Sequence, residues 1–203
     1  MQEKWYFERM SQEIALASIF KQLFDPLITL DLEVWERFAA LGEVQNLPQG
    51  TVLKQAGATE EYFTLLLDGS GGLLLWHKDK YVCTDLCLPN DLVMDYISFV
   101  LKKASPGEVR LFEDSRLFRM SRQDFQRTLS ADAFGTAVSL QALQGAYAEK
   151  LRHQADLLAM TAKERYIDLL DSRPGVSRIP IRYIASYLGI TPQSMSRIRA
   201  EKI

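Results

Sequence analysis

The sequence predicts an α+β protein whose β-rich first part is followed by a long helix and an all-α end. Three changes along its 203 residues support this class. Apolar residues recur at three-to-four spacing over 11–42, short runs broken by turn residues fill about 43–121, and proline-free helical sequence returns over 122–160. We therefore expect a β-rich domain over 1–121, a connecting helix over 122–160 and a helix-turn-helix domain over 161–203.

The first part opens with two predicted helices. Asp25-Pro26 interrupts the helical pattern, because proline cannot continue a helix in mid-course. Asp31 is a suitable N-cap for the second helix, and Leu41-Gly42 is a suitable end.

The sequence from 43 to 121 alternates strand-like runs with turn residues such as Leu47-Pro48-Gln49-Gly50 and Asp68-Gly69-Ser70-Gly71-Gly72. Short strands with frequent turns are typical of an antiparallel sandwich or barrel. The predicted strands are Thr51–Leu53, Tyr62–Leu67, Leu73–Trp76, Tyr81–Leu88, Glu108–Phe112 and Arg116–Met120. One helical insert is expected, over Val93–Lys103.

The connecting helix carries an a/d-like stripe. Its members are Phe134, Ala137, Gln141, Gln144, Ala148, Leu151, Ala155 and Leu158. A stripe of this kind needs a covering surface. We expect the same helix of a second subunit to cover it, giving a homodimer; packing within the chain is the alternative.

A capping box opens the C-terminal domain. The Thr161 hydroxyl can accept a hydrogen bond from the N–H of Glu164, whose carboxylate can accept one from the N–H of Thr161. The helix that follows is expected to run from Ala162 to about Asp171, because Arg173-Pro174-Gly175 stops it.

Residues 181–200 fill every constrained position of a helix-turn-helix. Gly189 permits the positive φ of the turn, Thr191 is an N-cap, and Pro192 stands where its missing N–H costs nothing. The expected interior residues are Ile184, Ala185, Leu188, Ile190, Met195 and Ile198. The second helix exposes Gln193, Ser194, Ser196, Arg197 and Arg199, groups that suit base edges and phosphates in a major groove. The alternative is an ordinary αα-corner.

Charge separates this domain from the rest of the chain. Residues 160–203 hold eight Lys and Arg against four Asp and Glu, a net charge of +4, whereas the whole chain carries −2. The remainder therefore carries −6. A basic module on an acidic body is typical of proteins that bind polyanions, so the sequence favours double-stranded DNA as a partner.

Composition excludes several other classes. The chain shows no apolar run of the ~18–20 residues that a membrane span needs, and its start has no secretory h-region, so we expect a cytoplasmic protein without membrane contact. Its two cysteines, Cys83 and Cys87, rule out a disulfide framework and are expected to be ordinary reduced thiols. With only His77 and His153 besides, we expect no metal site and no cofactor.

The chain resembles the Crp/Fnr family of bacterial regulators, and most closely its Bacteroidetes-type branch. The resemblance lies in Thr161–Tyr166 and Ile184–Arg199 at the C-terminal end. It extends to Leu47-Pro-Gln-Gly-Thr-Val-Leu and Pro89-Asn-Asp-Leu-Val-Met-Asp, which look like the family's cyclic-nucleotide-binding-type β-roll, and to Glu113–Phe125, which looks like its last strand and the start of the dimer helix.

The resemblance implies a homodimeric transcription regulator that presents two recognition helices to a palindromic DNA site. It places Gln193, Ser194 and Arg197 where the family reads bases, with Thr191, Ser196, Arg199 and Arg182 as further DNA-binding candidates. RNA polymerase is an additional partner that it suggests. The chain ends at Ile203 without the wing found in many relatives, so we expect Arg178 and Arg182 to replace its phosphate contacts.

The effector pocket departs from the family pattern. Cyclic-nucleotide binders carry Gly-Glu and an Arg-Ser or Arg-Thr pair, whereas this chain has Met94-Asp95 and Ser105-Pro106 at those positions. A buried phosphate without a guanidinium would lack its countercharge. We therefore expect no response to cyclic AMP and an unknown effector, with Asp95, Tyr96 and Ser105 as the pocket candidates.

Two other function classes are alternatives to a DNA-binding regulator. One is a ligand- or protein-binding regulatory module whose helix-turn-helix no longer reads DNA; Arg197, Arg199 and Lys202 argue against it. The other is an enzyme. The sequence has no Gly-rich phosphate loop, nucleophile elbow or His-Glu-x-x-His motif, so we expect no enzymatic activity.

Overall fold

The computed structural model describes residues 14–24, 29–77, 80–131 and 133–201. Within these ranges it describes the side chains other than those of residues 77, 129–139, 141 and 142. The structure has antiparallel β-sheets, with helices before and after them in the sequence. This confirms the predicted α+β class.

Among the described residues before the sheets are two helices, α1 over residues 14–24 and α2 over Leu32–Ala39. Their apolar faces bury Phe20, Trp35 and Phe38 against Phe118 of the last strand. Asp31 is the N-cap of α2, as the sequence predicts. Its backbone carbonyl accepts the N–H of Val34 at 3.1 Å, and its side chain makes no capping hydrogen bond.

In the part of the chain that the structure describes, seven strands form two antiparallel sheets. They are β1 Glu43–Leu47, β2 Val52–Lys54, β3 Tyr62–Asp68, β4 Gly71–His77, β5 Lys80–Cys87, β6 Gly107–Leu111 and β7 Ser115–Ser121. One sheet has the order β1-β7-β3 and the other β2-β6-β4-β5, which leaves β5 at an edge. The predicted strands match six of these, whereas β1 was not predicted.

A short helix, α3 (Tyr96–Leu101), lies between β5 and β6. It is shorter than the predicted Val93–Lys103. Val93 lies outside the helix, and its N–H donates to the Thr64 carbonyl of β3 at 3.0 Å. Lys102 ends the helix in the left-handed conformation, with φ of 54°.

The C-terminal half is helical. Its elements are α4 Arg122–Ala131, α5 Ala133–Ala159, α6 Ala162–Ser172, a 3₁₀ turn Pro174–Arg178, α7 Ile181–Tyr187 and α8 Pro192–Ala200. The predicted long helix corresponds to α4 and α5, and residue 132 between them lies outside the described residues.

Buried side chains of the described residues form three clusters. One joins α1 and α2 to the β1-β7-β3 sheet, and another fills the space between the two sheets. The third joins the β2-β6-β4-β5 sheet to the C-terminal helices, with Leu74, Leu86 and, directly after β6, Phe112 on one side and Ile184 and Leu188 on the other. The C-terminal helices therefore pack directly on the β-roll, and α7 lies along β5.

Candidate nucleic-acid interface

The turn between α7 and α8 has the geometry that its sequence predicts. Gly189 has φ of 70°, a conformation that favours glycine. The Thr191 hydroxyl accepts the N–H of Ser194 at 3.1 Å, and Pro192 occupies the first position of α8. The N-terminus of α8 is therefore capped, which fixes where this helix begins.

The interior of the motif is fully packed. Ile184, Ala185, Leu188 and Met195 are buried, while Ile198 and Ile190 are partly buried against them. The Arg165 guanidinium of α6 donates to the carbonyls of Leu188, at 2.8 Å, and Met160, which satisfies the C-terminal end of α7. The capping box also forms: the Thr161 hydroxyl accepts the N–H of Glu164, and the Glu164 carboxylate accepts the N–H of Thr161 at 2.7 Å.

Helix α8 turns a polar face to solvent. Gln193 and Arg197 are four residues apart, so both lie near the middle of the face opposite buried Met195, and both are exposed. Ser196 lies beside them, but its hydroxyl donates to the Pro192 carbonyl at 2.9 Å. Ser194 is partly buried at one flank, and Arg199 is exposed at the other.

Charge on α8 matches an anionic partner. The helix contains no acidic residue, and Arg197 and Arg199 stand in its last turn, where the helix dipole stabilises cations. Lys163 is already paired with Glu201, with Nζ and Oε2 3.0 Å apart. Arg197 and Arg199 keep exposed positive charge on α8 itself.

The two arginines expected to replace a wing differ in their surroundings. Arg182 is exposed on α7, with its guanidinium over the Tyr183 ring at 4.7 Å. Arg178 faces the β-roll instead, within 3.4 Å of the Gly69 carbonyl and 3.8 Å of Glu113. Of the two, Arg182 is the one on the helix-turn-helix itself.

Two of the three effector-pocket candidates meet in the β-roll. The Ser105 hydroxyl donates to Asp95, and Asp95 also accepts the N–H of Ser98 at 3.1 Å. Lys54, which the sequence analysis did not single out, lies 3.1 Å from Asp95 Oδ2 and 2.9 Å from Ser105 Oγ. Burial alone would raise the pKa of Asp95, but the hydrogen bonds from Ser105 and Ser98 and the Lys54 ammonium outweigh it, and the pKa lies below its ordinary value.

Tyr96 is separate from this buried cluster. It lines a cavity of about 250 Å³ between α1, β5, α5 and the end of α6, together with Leu65, Leu86 and Met94. Burial raises the pKa of its phenol. The structure therefore does not gather Asp95, Tyr96 and Ser105 into one pocket.

The stripe on α5 is exposed in the single chain wherever its side chains are described. Gln144, Ala148, Leu151, Ala155 and Leu158 all face solvent, and Leu158 is 83% exposed. Tyr147, on the same stretch, is also exposed. The side chains of Phe134, Ala137 and Gln141 lie outside the described residues.

The sequence also predicts the absence of membrane spans and metal sites, and reduced cysteines; the described part of the chain shows the following. None of its helices is long and apolar enough to cross a membrane. It also holds no group of three or more His, Cys, Asp or Glu side chains arranged to bind a metal ion. Cys83 and Cys87 are unpaired and buried, and burial raises the pKa of the Cys83 thiol to about 12.

Comparison with known proteins identifies the fold. No protein-family model and no curated protein matches the chain. Among solved structures, FixK2 from Bradyrhizobium japonicum matches with a TM-score of 0.69 and 16% identity, over 79% of this chain and 83% of that one. The c-di-GMP-responsive regulator CLP from Xanthomonas campestris matches with a TM-score of 0.63 and 17% identity, over 84% and 91% of the two chains.

The catabolite activator protein of Thermus thermophilus matches with a TM-score of 0.53 and 18% identity, over 88% of this chain and 84% of that one. These are Crp/Fnr-family regulators, and the chain has their fold, as the sequence predicts. Assignment to the Bacteroidetes-type branch stays a prediction.

Proposed function

We propose that this protein is a transcription regulator of the Crp/Fnr type that binds a palindromic DNA site as a homodimer and is not an enzyme. The observation that carries the proposal is the solvent-facing surface of α8. Gln193 and Arg197 stand together on a capped and fully packed helix-turn-helix, with no acidic side chain on the helix. An exposed guanidinium of this kind suits a bidentate contact with guanine, and the amide suits adenine.

The proposed dimer forms along α5. Its exposed heptad stripe, with Leu151 and Leu158 at equivalent positions seven residues apart, is the surface that a second α5 would cover. A two-fold dimer would carry two α8 helices about 34 Å apart, which matches successive major grooves on one side of the duplex. RNA polymerase stays a further partner that the resemblance suggests.

We further propose that DNA binding needs no cyclic AMP. Lys54, Asp95 and Ser105 satisfy one another where the resemblance places the nucleotide phosphate. An incoming phosphate would have to separate the buried Lys54–Asp95 pair and would bring a second negative charge close to Asp95. Both steps cost free energy.

The first experiment selects binding sites from random DNA with the purified full-length protein and no nucleotide. We expect a two-fold symmetric motif. Arg197→Ala should weaken binding by about 1–3 kcal/mol and relax one position in each half-site. Arg116→Ala, at an exposed arginine of β7, is the matched control and should behave like wild type. Weak, sequence-independent and salt-sensitive binding by the wild type would instead favour the alternative, a regulatory module whose helix-turn-helix no longer reads DNA.

Two measurements test the other parts of the proposal. Sedimentation should give a dimer for the wild type and a monomer for Leu151→Asp/Leu158→Asp, because two charges would be buried in the seam. Adding cyclic AMP should change neither the DNA affinity nor the melting temperature, because a nucleotide that does not bind the folded protein cannot stabilise it. A rise in either quantity would contradict independence from cyclic AMP.

A further inference from the structure

One face of the helix-turn-helix packs on the β-roll. Leu74 of β4, Leu86 of β5 and Phe112, directly after β6, are buried together with Ile184 and Tyr187 of α7. Separation of the two parts would expose this apolar surface on both sides, which costs free energy in proportion to the area uncovered. We call this contact the docking interface.

One contact of the docking interface covers a sheet edge. Strand β5 is the outer strand of the β2-β6-β4-β5 sheet, and the N–H of Cys83 on β5 donates to the Ser186 hydroxyl of α7 at 2.8 Å. Backbone groups at an edge strand need partners, and here a side chain of the DNA-binding domain supplies one. The same helix thus belongs to the helix-turn-helix and covers the sheet.

Two aromatic stacks also hold α7, through Tyr183 and Tyr187. The rings of Phe112 and Tyr183 lie parallel, with centroids 3.8 Å apart and an interplanar angle of 12°. His153 of α5 stacks on Tyr187 at 4.0 Å, also at 12°. Tyr183, Ser186 and Tyr187 therefore contact three different elements, and such contacts fix a helix in direction as well as in position.

A single guanidinium completes the interface. Arg173, directly after α6, donates to the Leu86 carbonyl at 2.9 Å, pairs with Asp91 and lies 3.5 Å from Glu149 of α5. It connects the β-roll, the stripe helix and the start of the helix-turn-helix. The planar guanidinium of an arginine fixes the directions of its hydrogen bonds more strictly than the ammonium of a lysine would.

We infer that the β-roll, through the docking interface, sets the spacing of DNA half-sites that this protein accepts, with Phe112 and Arg173 as positioning residues. The inference rests on the function proposed above. Helix α8 is tied to α7 by the shared interior of Ile184, Leu188 and Met195, so whatever fixes α7 also fixes α8. Neither Phe112 nor Arg173 lies on the exposed face of α8, and so neither is expected to read a base.

The physical basis is the helical repeat of DNA. One additional base pair between the half-sites moves one of them by ~3.4 Å and turns it by roughly 35° about the axis. A docked pair of recognition helices cannot follow this rotation without distorting the DNA or losing the docking contacts. Undocked domains on flexible connections could follow it, at the cost of weaker binding to the best site.

The test measures affinity for the selected palindrome and for versions with one central base pair inserted or deleted. The wild type should bind the altered sites roughly tenfold or more weakly, a difference of about 1.4 kcal/mol or more, which DNA distortion can supply. Phe112→Leu/Arg173→Met should bind the best site more weakly, yet discriminate between spacings by less than about threefold. Its base preferences within each half-site should not change.

Two controls separate positioning from general damage. Phe63→Leu/Arg116→Met makes the same changes at a core phenylalanine and a surface arginine away from the docking interface, and should keep the wild-type discrimination. Arg197→Ala should relax the base preference at one position in each half-site but keep the spacing discrimination. Tyr183→Ala breaks the stack from the other side and should reproduce the effect of the first variant.

Thiol labelling provides a readout that does not involve DNA. Cys83 is buried in the docking interface, so its alkylation, located by peptide mass, should be faster in Phe112→Leu/Arg173→Met than in the control. Wild-type spacing discrimination in both Phe112→Leu/Arg173→Met and Tyr183→Ala would overturn the inference. A wild type that reads its palindrome at every spacing equally would also overturn it, with the proposed function intact. A wild type that selects no palindrome would instead remove the proposed function.

Discussion

Lys54 and Asp95 form an ion pair inside the β-roll, with Lys54 Nζ 3.1 Å from Asp95 Oδ2 and both side chains buried. The other two donors of the Lys54 ammonium are also satisfied, by Ser105 Oγ at 2.9 Å and the Gly107 carbonyl at 2.6 Å. Three acceptors for three N–H groups leave the ammonium fully paired. Asp95 also caps α3, so the pair connects strand β2 to that helix.

Removal of one partner of this pair should cost much more than removal of both. Asp95→Ala leaves the Lys54 charge buried without its carboxylate and should lower the free energy of unfolding by about 3–5 kcal/mol. Lys54→Met/Asp95→Ala buries no charge and should recover part of that loss. Urea denaturation of the wild type, both single variants and the double variant gives the coupling energy. Strictly additive losses would show that the two side chains do not stabilise each other.

Two glycines should respond in opposite ways to alanine. Gly189 has φ of 70°, and an added Cβ would meet Leu157 at 3.4 Å, so Gly189→Ala should destabilise the protein by about 1 kcal/mol. Gly145 lies within α5 with open space around it, so Gly145→Ala should stabilise by about 0.5–1 kcal/mol. Thermal unfolding of both variants checks the signs. Gly189→Asn should lose less than Gly189→Ala, because asparagine tolerates the left-handed region.

The Thr161 cap gives a prediction local to α6. Thr161→Ala removes the hydroxyl that accepts the Glu164 N–H and should lower the free energy of unfolding by about 0.5–2 kcal/mol. Thr161→Ser keeps a hydroxyl at the same place and should remain close to wild type. Chemical denaturation measures both. Equal losses in the two variants would mean that the methyl group of Thr161, and not its hydroxyl, stabilises the helix.

The sequence predicted the helix-turn-helix well because its signals are local. Gly189, Thr191 and Pro192 each satisfy a requirement of their own backbone position, and the structure shows all three in those roles. The capping box of Thr161 and Glu164 is local in the same sense. Exposure of Gln193 and Arg197 followed from helical periodicity alone.

Features that depend on distant pairing were not predictable in this way. Strand β1 contains polar Gln45 and Asn46 and precedes a proline, and it is a strand because it pairs with β7 some seventy residues later. Lys54 reaches Asp95 only because β2 pairs with β6, which brings Gly107 beside it. Asp31 is the N-cap that its residue type predicts, but it bonds to α2 through its backbone carbonyl and makes no side-chain capping bond.

The docking interface could not be predicted from the sequence, for a related reason. An apolar stripe such as that of α7 predicts burial but does not name the surface that buries it. Ile184 and Leu188 were expected to pack within the helix-turn-helix, and they do, but the same cluster continues into Leu74 and Phe112. Composition alone does not show that two predicted domains share a core.

The stability of the protein should depend on the charge of His153. Partial burial against Tyr187, followed by the nearby Lys150 ammonium, lowers the pKa of this imidazole below its usual 6.5, while Asp156 and Asp85 act in the opposite direction. The folded state therefore binds this proton less readily than the unfolded chain. The contribution of neutral His153 is complete above about pH 6.5 and is lost as the pH falls through the range between the two pKa values.

The variant that isolates this effect is His153→Phe, which retains a ring beside Tyr187 but cannot take up a proton. Between pH 7 and pH 5, the free energy of unfolding of the wild type should fall more steeply than that of His153→Phe, because only the wild type loses stability to the protonation of residue 153. Urea denaturation across this range measures the difference in slope. His77→Gln, which removes the other histidine, is the control variant that shows whether the slope belongs to residue 153. Parallel curves for wild type and His153→Phe would show that His153 titrates alike in the folded and unfolded states, and its partial burial would then have no consequence for stability.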